Sequence, residues 1–134
     1  MLQINTKLIM TLSAITLAAI GIALIFCPIE LAALIGLGSS VNFQLILQLL
    51  GALYFGFAML NWMAKGSIIG GIYAKPVSMA NFTHYFIGAL ALIKVLIRNH
   101  NMPYYLWIAA GIYSIFALCF WLIFSRHPTA EVKA

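Results

Sequence analysis

Glu30 and Glu131 are the only carboxylates in the 134 residues, and there is no Asp. Paired-carboxylate hydrolysis and carboxylate-rich metal sites therefore have almost nothing to work with. The only thiols, Cys27 and Cys119, are not spaced as a CxxC redox pair. Cys119 lies 16 residues beyond Pro103, about 24 Å along a helix at 1.5 Å per residue. Cys27 is expected at the opposite end of such a depth. A disulfide needs Cα atoms within about 7 Å, so the reading is two separate apolar thiols. No catalytic residue, metal ligand set or cofactor is expected.

Two groups of polar side chains remain. Lys94 and Arg98 are one helical turn apart, and Glu30 is the one acid whose position allows an ion pair with them. A denser group comprises Asn61, Trp62, Lys65, Tyr73, Lys75, Asn81, His84 and Tyr85. A polar, aromatic-lined pocket built from these could hold a lipid headgroup or a small anionic ligand. The same composition is also ordinary for anchors at a membrane boundary.

The elements that must position these residues follow from the composition. Only 7% of positions are charged and 65% are hydrophobic, with mean hydropathy +1.09. Soluble domains carry about 25% charged residues, so a soluble domain and a disordered chain are excluded. The net charge of +5 does not indicate nucleic-acid binding, because the cations stand singly and form no basic stripe. They flank long apolar runs, as headgroup anchors do. The expected partner is the lipid bilayer, with either a membrane protein partner or a second copy of the chain beside it.

Gaps between charges mark the spans. Leu8 to Ile29 are 22 uncharged residues, and roughly 20 cross a ~30 Å hydrocarbon core. This run is too long for a secretory h-region, has no small-residue cleavage pattern after it, and is read as a retained first span. Pro28 and Glu30 suit a helix N-terminus, so 28–37 is expected as a short surface helix. Gly36, Gly38, Ser39, Ser40 and Asn42 then form a loop. The expected spans are about 8–27, 43–63, 81–98 and 103–124, with 64–81 a glycine- and cation-bearing loop. The fold class is thus all-α: a single-domain, polytopic membrane protein forming a four-transmembrane-helix bundle, with an interfacial helix after the first span.

Orientation follows from the cations. Lys7, Lys65, Lys75, Arg126 and Lys133 fall on one face, and Lys94 and Arg98 on the other. Five against two places both termini in the cytoplasm of an inner-membrane protein. Helices in lipid associate through small residues and polar contacts, and each span offers a row of these. The rows are Thr11–Ala14–Ala18–Gly21, Gln44–Gln48–Ala52–Gly56, His84–Gly88–Ala91 and Ala110–Ser114–Ala117. The second row makes Gly56 an expected helix contact.

No span carries a mid-membrane carboxylate of the kind proton-coupled exchangers use. The stretch Leu49-Leu50-Gly51-Ala52-Leu53-Tyr54-Phe55-Gly56, running into Asn61-Trp62-Met63-Ala64-Lys65-Gly66, resembles the DoxX-like and related small bacterial four-helix membrane proteins. That resemblance implies an accessory membrane subunit, in some members tied to redox or quinone-linked complexes. The functional expectation is a non-enzymatic accessory or interaction subunit. The alternative is a small carrier or channel for a small or lipidic solute.

Overall fold

The computed structural model describes residues 5–36, 38, 40–67 and 74–125. Among the described residues there are five helices: α1 (Thr6–Phe26), α2 (Pro28–Leu34), α3 (Val41–Ala64), α4 (Lys75–Arg98) and α5 (Tyr104–Ser125). There is no strand among the described residues. All but α2 are long and apolar enough to cross a membrane. The fold class is all-α, with the short helix directly after the first span.

Local chemistry explains the boundaries. The Asn5 side-chain oxygen accepts from the Leu8 N–H at 3.0 Å, and Ser40 Oγ accepts from the Phe43 N–H at 3.3 Å. Each satisfies one donor that the first helical turn leaves open. Pro28 opens α2, with Glu30 in its first turn. Gly36, at φ +70°, then takes the left-handed conformation that commonly stops a helix.

One boundary departs from expectation. The loop assigned to 64–81 is shorter, because α4 already begins at Lys75, with Pro76 in its first turn. Proline breaks a helix interior but is tolerated where the N–H has no intrahelical partner. At 24 residues α4 is roughly 36 Å long, so its first turns outreach a ~30 Å hydrocarbon core.

The chain divides into two compact units. One, Met10–Lys65, holds α1 from its second turn, α2 and α3; α4 and α5 belong to the other. In the first, α1 and α3 run antiparallel. Asn61 meets Ser13 near one end, Gly51 meets Gly21 further along, and Gln48 reaches the Ile25 carbonyl beyond that. Gly21 and Gly51 let the backbones touch: a Cβ on Gly21 would stand 2.8 Å from the Phe55 nitrogen, and one on Gly51 2.8 Å from the Gly21 carbonyl oxygen.

Apart from Gln48, which reaches the Ile25 carbonyl, this contact lies one row over from the expected one. The buried residues of α3 are Leu47, Gly51, Ala58 and Asn61, while Gln48, Ala52 and Gly56 are exposed. A Cβ added at Gly56 would meet nothing within 4 Å. On α1, Ala14 and Gly21 of the expected row are buried, joined by Met10, Ser13 and Leu17.

In the second unit an aromatic ladder joins α4 to α5. Tyr85, fully buried, has its ring centroid 4.8 Å from Phe116, 5.2 Å from Tyr113 and 5.8 Å from Phe120. Phe82 packs on Trp121 at 5.3 Å. Gly88 makes room for Tyr113: a Cβ there would stand 2.5 Å from the ring edge. Ala110 and Ala117 of the expected α5 row are buried, whereas Ala91 of the α4 row is exposed.

Candidate functional site

The residues expected to form one polar pocket have different local roles. Asn61, on the last turns of α3, is fully buried and its amide donates to Ser13 Oγ at 2.8 Å. Trp62, next in sequence, is exposed, because a step of about 100° along a helix moves the side chain to another face. Lys65 caps α3 and returns over that ring, with Nζ 2.8 Å from the Trp62 centroid. Such a contact is worth about 0.5–1 kcal/mol at an exposed site. Trp62 and Lys65 are thus brought together, while Asn61 is turned away into the α1–α3 contact.

The α4 members of the group serve their own unit. Lys75 begins α4, and its carbonyl accepts from Ser78 Oγ at 2.9 Å. Asn81 is buried, and its amide donates to the Val77 carbonyl at 2.9 Å. His84 lies against Tyr85 and Tyr113, at 5.1 and 5.7 Å between centroids. Tyr85 is the centre of the aromatic ladder. Tyr73 lies outside the described residues.

Glu30, Lys94 and Arg98, the expected ion-pair residues, are all exposed. Glu30 belongs to the α1–α3 unit, and Lys94 and Arg98 to the α4–α5 unit. Cys27 is exposed, Cys119 is partly buried, and both are free thiols. No cluster of three His, Cys, Asp or Glu suited to a metal ion occurs among the described residues.

Two open grooves occur among the described residues. Between α1 and α3, a groove of about 280 Å³ is lined by Ala14, Ala18, Phe55, Ala58, Met59 and Trp62, among others. Between α4 and α5, one of about 260 Å³ is lined chiefly by Ile93, Leu96, Trp107, Ala110 and Ser114. In the second, Ser114 Oγ donates to the Ala110 carbonyl at 2.7 Å, so its hydroxyl is turned to its own helix. In the sequence, Ala14 and Ala18 of the first groove stand out only as part of a small-residue row, and Ala58 does not stand out; the groove itself arises when α1 and α3 lie side by side. Ser13, the partner of Asn61, was equally inconspicuous. No family model, no curated protein and no solved structure matches the chain.

Proposed function

We propose that the chain is a four-span, inner-membrane protein with both termini in the cytoplasm, acting as a non-enzymatic accessory or interaction subunit. The observation that supports this is the use of the buried polar side chains. Asn61 and Ser13 bind each other across two helices, while Ser78 and Asn81 donate to carbonyls of their own helix. These are bonds that hold helices in an apolar solvent, where an unsatisfied polar group costs several kcal/mol. They organise a scaffold and leave its outer surface for recognition.

The partner surface on this reading is the outer side of α3, the span with the smallest buried share, at 17%. Its occupant is a transmembrane helix of another protein, which Ala52 and Gly56 allow to approach closely. Purification in mild detergent tests the reading. Wild-type protein is expected to retain one stoichiometric partner, and Gly56→Leu to lose it with thermal stability unchanged. Solute flux through vesicles holding the purified chain alone would overturn the reading in favour of a carrier.

A further inference from the structure

We propose that the α1–α3 groove binds one acyl chain of an anionic phospholipid, with the lipid phosphate at Lys65. The inference is independent of the accessory reading, since its occupant is a lipid and it needs no protein partner.

The groove has small residues at its base and large ones at its rim. Ala14 and Ala58 are each 3% exposed, whereas Ile15, Phe55, Met59 and Trp62 are exposed. All its lining side chains are apolar, and both helices that form it are of membrane-spanning length and hydropathy. The groove is an open slot of about 280 Å³, room for part of one flexible hydrocarbon chain, which is far thinner than a helix at about 10–12 Å with side chains.

The end of the groove supplies the charge. Trp62 lines it, and Lys65 is held over the Trp62 ring just beyond the last residue of α3. A Trp and a Lys at the end of a span stand at headgroup depth. Glu30, the one carboxylate among the described residues, follows α1 and therefore lies at the opposite end of the antiparallel α1–α3 pair. From Gln48, near that end, to Lys65 is about 25 Å at helical rise. The cation beside the groove thus has no acid of its own pair at hand, and its complement is an anion at the membrane surface. A phosphate without a choline or ethanolamine ammonium meets that requirement, because the ammonium is repelled by Lys65.

Trp62 itself is the reporter. In full-length protein carrying Trp107→Phe and Trp121→Phe, Trp62 is the remaining tryptophan, and its quenching by brominated acyl chains is measured in mixed vesicles. Brominated phosphatidylglycerol is expected to reach half-quenching at about a fivefold lower mole fraction than brominated phosphatidylcholine. Lys65→Gln should abolish that preference and Lys65→Arg should keep it. Ala18→Leu, which fills the groove, should weaken quenching by both lipids. Identical curves for the two lipids in the parent protein overturn the proposal. So does a preference that survives Lys65→Gln in protein whose circular dichroism and thermal midpoint match the parent.

Discussion

The Asn61 amide donates to the Ser13 hydroxyl at 2.8 Å, and both residues are fully buried although they are 48 positions apart. The bond ties the C-terminal turns of α3 to the first half of α1. Hydrogen bonds between helices in lipid contribute about 1–2 kcal/mol in model peptides and rather less in proteins. Ser13→Ala and Asn61→Ala should each lower stability by about 0.5–2 kcal/mol. The double variant should be less destabilised than their sum, by about 0.6–1.7 kcal/mol. Unfolding titrations in mixed micelles measure this, and strict additivity would show that the pair carries no coupling.

Gly21 and Gly51 make a sharper prediction. A methyl group on Gly21 meets the Phe55 nitrogen and the Gly51 oxygen, at 2.8 and 2.9 Å, and backbone atoms cannot rotate away. Overpacking of this kind costs about 1–3 kcal/mol. Gly21→Ala should therefore lower the thermal midpoint in detergent clearly, while Gly56→Ala should leave it nearly unchanged. The reverse order would place the α1–α3 contact on the Gly56 row.

Gly88 tests the second unit. Its added Cβ would clash with the ring of Tyr113, which is 7% exposed and packed on Tyr85. A buried ring yields less easily than an exposed side chain, so Gly88→Ala should also cost about 1–3 kcal/mol. The cause is a side chain, not backbone. Adding Gly88→Ala to a Tyr113→Leu protein should consequently cost less than adding it to wild type, as read by the same unfolding titration.

Orientation in the membrane is checked by reporter fusions. With α1, α3, α4 and α5 each crossing once, fusions at residues 38, 70, 100 and 134 should report outside, inside, outside and inside. The cation distribution predicts this order. A cytoplasmic signal at 38 or 100 would overturn it.

Charge gaps of span length, Pro28 with Glu30, and the Ser40 cap are local features, and they determined the number of helices and most of their ends. Pro76 does not mark the start of α4 by itself, because a proline's effect depends on its place in a helix, and residues 75–80 of α4 lie within the expected loop. Facing was decided only in three dimensions. Helix α3 is apolar almost all round, so periodicity does not single out one side of it. The row through Gly56 and the row through Gly51 are both small enough to pack. Gly21 on α1 selects Gly51, because that pairing brings two backbones together where neither has a side chain. The same placement turns Asn61 inward to Ser13 and leaves Trp62 and Lys65 outside. Residues adjacent in sequence and alike in polarity are thus divided between a structural bond and an open groove by the rotation of one helix against another.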